Sequence, residues 1–127
     1  VSELKPIAWM GSSKKDLADL PKEVEDEVGH NLYEAQQGKM PGDGKVLRGF
    51  GSAKVIEIVV DHDSDAYRAV YTVEFEEAIY VLHCFQKKSK EGVKTPKQDK
   101  ELIDRRLKAA KAEHEKWLKQ QASTKKK

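Results

Sequence analysis

The sequence predicts an α+β fold, and three observations carry that prediction. Between Lys54 and Ser89, three apolar and β-branched runs lie back to back, Val55–Val60, Ala66–Phe75 and Ala78–Gln86, as strands running back and forth would place them. Ahead of them, Leu17, Leu20, Val24, Val28, Leu32 and Ala35 recur at steps of three or four, the spacing of one helical face. Behind them, Thr95-Pro96-Lys97-Gln98 carries the cap, the proline and the capping-box glutamine of a helix start. A chain of 127 residues is long enough for one domain with a core and not for two. Residues 1–122 are therefore read as a single domain, and 123–127, which have no apolar anchor, as a disordered basic tail.

At the N-terminus, Lys5–Met10 reads as a first strand, with Ile7 and Trp9 two apart and Pro6 marking an edge. Ser13, three residues before Asp16, has the spacing of an N-cap. Pro21 fits the first turn of a second helix, so a helical hairpin is expected to break near Leu20 and close at Gly38. Its outward residues Glu23, Glu25, Asp26 and Glu27 form an acidic face. Lys39–Gly44 is a loop, and Lys45–Phe50 a short strand or extended approach. Gly49 and Gly51 allow a tight bend with the Phe50 ring turned inward. No Gly-Lys-Ser/Thr follows, which excludes a phosphate loop there.

Charge is unevenly spread. Residues 1–86 hold 9 Lys+Arg against 16 Asp+Glu, and residues 87–127 hold 15 against 6, so an acidic body carries a basic end suited to phosphates. No apolar run approaches the roughly 20 residues of a membrane span, and the N-terminus lacks the order of a secretory signal. The chain is read as cytoplasmic, with no membrane partner. Cys84 is the only cysteine, which excludes an intrachain disulfide and a cysteine-based zinc site. Asp61, Asp63 and Asp65 resemble the opening of a calcium loop, but Ala66 and Thr72 stand where glycine and glutamate are needed. The stretch is assigned to a solvated hairpin turn. Neither metal nor cofactor is expected.

Arg68 is the residue that needs an explanation, since it interrupts an apolar strand. Alternation sends Tyr67, Ala69, Tyr71, Val73 and Phe75 to one face, taken as buried, and Arg68, Val70, Thr72 and Glu74 to the other. On an open face Arg68 is placed to meet an anion; the alternative is a simple ion pair with Glu57 or Glu74. His83 and Cys84 are strand neighbours on opposite faces, so they do not form a thiolate–imidazole pair. Cys84 is read as a core residue, and His83 as a core histidine or a proton-transfer group. Ile103, Leu107, Ala110, His114 and Trp117 form a stripe on the last helix that docks on this domain or, alternatively, on a partner chain.

Four stretches in this order resemble the RelE/ParE superfamily of bacterial toxins, and within it the HigB-like, phage-derived branch: Trp9–Leu17, Lys45–Gly51, Tyr67–Tyr71, and Val81–Ser89 leading to Thr95-Pro96. The resemblance covers about residues 5–110. It implies a helical hairpin packed on one face of a twisted, mostly antiparallel sheet, with a C-terminal helix and an active face opposite the hairpin. It also implies a ribosome-dependent endoribonuclease that drives a ribose 2′-hydroxyl onto the neighbouring phosphate of messenger RNA. On that basis Arg68, Lys87, Lys88 and Lys54 are the expected catalytic cations, with Lys90, Lys94 and Lys97 as contacts to RNA or the ribosome; His83 stays a core histidine or a proton-transfer group. A cognate antitoxin with a helix-turn-helix DNA-binding domain is the expected partner. The sequence departs from the family where Glu57 and Val59 replace a basic residue and where a long helix replaces a short tail. The competing readings are a ParE-like protein that binds DNA gyrase and a catalytically weakened binding module.

Overall fold

The computed structural model describes residues 4–87 and 96–125, the last two by backbone alone. In chain order the elements are β1 (Ile7–Trp9), α1 (Ser13–Ala18), α2 (Lys22–Gln36), β2 (Gly44–Val46), β3 (Val55–His62), β4 (Asp65–Thr72), β5 (Ile79–Lys87) and α3 (Lys97–Lys125). The strands form one sheet in the order β1-β5-β4-β3-β2, antiparallel throughout except where β1 runs parallel to β5. The fold is thus α+β with a mostly antiparallel sheet. No helix among the described residues is long and apolar enough to cross a membrane.

Local chemistry accounts for the boundaries. β3 turns into β4 through Asp63 and Ser64, both with positive φ, as a two-residue type I′ hairpin requires. β4 stops at Thr72, earlier than the apolar pattern suggested. There the Thr72 hydroxyl donates to the Lys54 carbonyl at 2.7 Å and accepts the Glu74 N–H at 3.1 Å, while the Lys54 N–H donates to the Glu74 carboxylate at 2.9 Å. Phe75, released from the ladder, crosses to the face opposite the one alternation predicts. In the hairpin, Ser12 rather than Ser13 precedes α1, and its hydroxyl bonds Asp16 at 2.7 Å. Ser13 is instead buried, donating to the Val81 carbonyl at 3.2 Å. The helices break between Ala18 and Lys22, with Pro21 just outside α2 rather than within its first turn, and Gly38 at φ +83° follows α2.

Two cores result, one on each face of the sheet. Leu17, Val24, Val28 and Leu32 from α1 and α2 pack on Ile58, Tyr71 and Val81. On the other face, Ile103, Leu107 and Ala110 of α3 pack with Val70, Tyr80 and Leu82. The stripe on the last helix therefore docks on its own domain. The face that carries Arg68 is not open as expected: α3 packs over part of it, and Arg68 itself is only 5% exposed. Cys84 is a core residue, and burial pushes its thiol up to about 12. α3 also runs on through Ser123 and Thr124 to Lys125, into the stretch read from sequence as a tail.

A bulge lets β5 serve both cores. Val70 pairs with His83 but Tyr71 pairs with Val81, which leaves Leu82 as the extra residue. Tyr80, Leu82 and Phe85 consequently share the α3 face, while Val81 and Cys84 stay on the hairpin face. The bulge carbonyl of Leu82 accepts a 2.8 Å hydrogen bond from Arg106 Nη1, whose Nη2 donates to the Ser12 hydroxyl at 3.1 Å. Glycine is required at position 11 for this clamp: its φ is +53°, and a Cβ would lie 2.8 Å from the guanidinium.

Farther along α3, His114 is buried and fully partnered. The Tyr80 hydroxyl lies 3.1 Å from Nδ1, Glu77 Oε1 lies 2.8 Å from Nε2, and Phe75 stacks on the ring at 4.2 Å between centroids. A carboxylate can only accept, so Nε2 carries the proton given to Glu77, and Nδ1 accepts from Tyr80. This hydrogen bond is the main reason that the Glu77 carboxyl is held below its ordinary range, with its own backbone contact second. The folded state binds the Glu77 proton less well than the unfolded chain does. The contact thus stabilises above the ordinary glutamate value and is lost as pH falls through the lowered one. In a Trp9→Phe background, the fluorescence of Trp117, which stacks on His114 at 5.5 Å, is expected to report this loss below about pH 4.5. An unchanged acid midpoint in Glu77→Gln would count against it.

Candidate active site

On the α3 face, strand register lines up the groups that carry charge. Lys45 on β2 is opposite Glu57 on β3, Glu57 is opposite Val70 on β4, and Val70 is opposite His83 on β5. The next row holds Val59, Arg68 and Phe85. Two residues beyond Phe85, alternation returns Lys87 to the same face. Neighbouring strands lie about 4.8 Å apart, so the Glu57 and His83 backbones are separated by roughly 10 Å with Val70 as the floor between them.

At the centre, Arg68 Nη1 lies 2.6 Å from Glu57 Oε1, and Lys45 Nζ reaches to 3.6 Å from the same oxygen. Glu57 is fully buried, whereas the Lys45 side chain is about half exposed and connects the pair to solvent. Arg68 and Glu57 are in ionic contact, yet among the described residues both Glu57 oxygens and Arg68 Nε and Nη1 have hydrogen-bonding capacity unspent. A buried guanidinium and carboxylate are costly unless further hydrogen bonds satisfy them. Lys87 is 6% exposed, and burial, reinforced by Arg68, lowers its pKa despite the opposing pull of Glu57. Among the described residues, Lys45, Arg68 and Lys87 gather about Glu57, a grouping of cations suited to an anion.

His83 flanks this cluster. It is 7% exposed, its ring stacks on Phe85 at 4.5 Å and 14°, and its Nε2 lies 2.7 Å from Asp99 Oδ1 at the start of α3. Among the described residues, its Nδ1 is buried without a hydrogen-bond partner. The arrangement provides a carboxylate, an imidazole and a fork-shaped cation on one rigid surface, a set able to exchange protons and neutralise an oxyanion. Among the described residues, no group of three or more His, Cys, Asp or Glu side chains converges as a metal site.

Of the residues singled out from sequence, the fold brings Arg68, Lys87 and His83 to one face. Lys54 is not among them. It enters β3 one residue before Val55 and lines a cavity of about 280 Å³ with Ala35, Ile56 and Tyr71 on the hairpin side. Lys97 is exposed at the start of α3, 4.0 Å from Glu101. Lys88, Lys90 and Lys94 lie outside the described residues. Sequence reasoning missed Lys45 and Asp99, and weighed Glu57 only as an ion-pair partner and as a departure from the family's basic position. Periodicity gives no sign of the first two, since each is brought in by a different element, β2 or α3.

A family model described as phage-derived protein Gp49-like matches residues 15–108. No curated protein matches the chain. Among solved structures, a double arginine-to-alanine mutant of the E. coli toxin RelE in the free state superposes with a TM-score of 0.52 at 16% identity, over 84% of this chain and 98% of that one.

Proposed function

This chain belongs to the Gp49-like family of phage-derived, RelE-like toxins, and from that premise we propose that it is the toxin of a type II toxin–antitoxin pair, cutting messenger RNA on the ribosome. The observation that carries the reading is the buried Glu57–Arg68 pair with unspent hydrogen-bonding capacity, beside His83 on the same sheet face. Glu57 takes the proton of a ribose 2′-hydroxyl as O2′ bonds to phosphorus. The P–O5′ bond breaks, His83 protonates the leaving O5′, and the products are a 2′,3′-cyclic phosphate and a 5′-hydroxyl end. Arg68 and Lys87 neutralise the phosphorane, with the guanidinium fork holding two oxygens. Lys45 draws the phosphate in from solvent. Lys88, Lys90, Lys94 and Lys97 are assigned to RNA and ribosome contacts, which makes affinity fall with salt. The partner that silences it is an antitoxin with a helix-turn-helix DNA-binding domain.

One observation favours a second reading, a non-catalytic binding module: Glu57 and Arg68 are both covered in the free chain. Mapping new messenger 5′ ends in translating cells separates the two. Wild type is expected to arrest growth and produce in-frame cuts. Arg68→Lys keeps a cation beside Glu57 but loses the fork, and its cuts are expected to fall at least about tenfold. Arrest without cuts, as a gyrase-directed toxin would give, or undiminished cutting by Arg68→Lys, would sink the proposal.

A further inference from the structure

The two buried histidines of this face are held by the same device and differ at one atom. Each sends Nε2 to a carboxylate, His114 to Glu77 at 2.8 Å and His83 to Asp99 at 2.7 Å. At His114 the second nitrogen is spoken for by the Tyr80 hydroxyl. At His83 the second nitrogen, Nδ1, is buried with no partner among the described residues. A histidine whose only task was to tie α3 to the sheet gains nothing from that orphan atom. Arg106 and the apolar stripe already make the tie.

We infer that Asp99 is a positioning residue of the proposed nuclease site: it fixes His83 in the tautomer with hydrogen on Nε2, so that proton exchange with RNA runs through Nδ1. The inference rests on the endoribonuclease reading for its use of the proton, but the hold itself rests on geometry. A carboxylate has no hydrogen to give when ionised, so the 2.7 Å contact places the hydrogen on Nε2. Asp99 lies in the first turn of α3, where the positive end of the helix favours a carboxylate. Stacking on Phe85 fixes the ring plane, and the bulge at Leu82 puts the ring on this face at all. With Nε2 committed, Nδ1 is the atom that first takes up a proton from solvent, forming the imidazolium. It then passes that proton to the leaving O5′, which returns the ring to the Nε2–H tautomer. The Asp99 charge steadies the imidazolium that precedes the transfer. Asp99 touches no substrate and acts only through His83.

The test has two arms on the full chain. In the first, two-dimensional spectra of protein carrying 15N-labelled histidine report the tautomer of each ring, with the His83 signals assigned by their absence in His83→Gln. In its neutral form the wild-type ring is expected to show Nε2 protonated and Nδ1 bare, and that of Asp99→Ala to show tautomer averaging. A neutral wild-type ring with its hydrogen on Nδ1, or an unmoved tautomer in Asp99→Ala, overturns the inference. In the second arm, message cleavage is measured in a double-mutant cycle. Asp99→Ala is expected to slow cleavage about tenfold or more, and His83→Ala by roughly a hundredfold or more. In the His83→Ala background, Asp99→Ala should then slow it no further, whereas an additive loss overturns the positioning role. If wild type makes no cuts, the nuclease reading falls and takes the proton's use with it. A ring locked in the first arm would still bear out the hold of Asp99 on His83.

Discussion

Arg68→Ala is expected to abolish most message cleavage, by roughly 10²- to 10³-fold, and also to destabilise the protein by about 3 kcal/mol. The activity loss follows from removing the one planar cation able to hold two phosphate oxygens. The stability loss follows from what is left behind: Glu57, fully buried, with its 2.6 Å partner gone. Lys45, 3.6 Å away and half exposed, offsets only part of that. The two effects separate in the double variant Glu57→Leu/Arg68→Met. It replaces the pair with apolar groups of similar bulk, and its urea midpoint is expected to return to wild type or above while cleavage stays lost. An Arg68→Ala protein as stable as wild type would mean that the carboxylate finds water or another cation, and that the pair is less enclosed than its burial indicates.

Ile103→Ala is expected to cost about 3 kcal/mol and to loosen α3 as a unit. Ile103 is fully buried between α3 and the sheet, so truncation removes apolar contact and leaves a cavity that the rigid strands cannot close. The consequence reaches the site, because α3 carries both Asp99 and Arg106. Hydrogen exchange should therefore quicken along α3 ahead of β3 to β5, and cleavage should fall although no substituted atom touches RNA. Leu118→Ala is the contrasting variant: Leu118 is 40% exposed, and a change within about 0.5 kcal/mol is expected. Equal effects at the two positions would show that α3 does not depend on its apolar stripe.

Much of the fold was legible because local periodicity and turn chemistry act within a few residues. The meander of β3 to β5, the hairpin of α1 and α2 and the stripe on α3 all follow from apolar spacing. The turn at Asp63 and Ser64 follows from residues that tolerate positive φ. The errors share a cause. Alternation assigned Phe75 to the wrong face because Thr72 ended the strand with its own hydroxyl, and it left the Arg68 face open because it could not place α3. Lys54, next in sequence to β3, lines a cavity on the hairpin side, apart from Arg68.

By itself the sequence determined which residue types could act, a strand arginine, a strand-end lysine and a histidine, along with the α+β architecture that carries them. Tertiary structure decided which of them meet. Glu57 and Lys45 join Arg68 through strand register, His83 reaches their face through a bulge, and Asp99 arrives on a helix that begins beyond the end of β5. Parity within a strand is local, but register and docking depend on burying two faces at once, and no single segment encodes that.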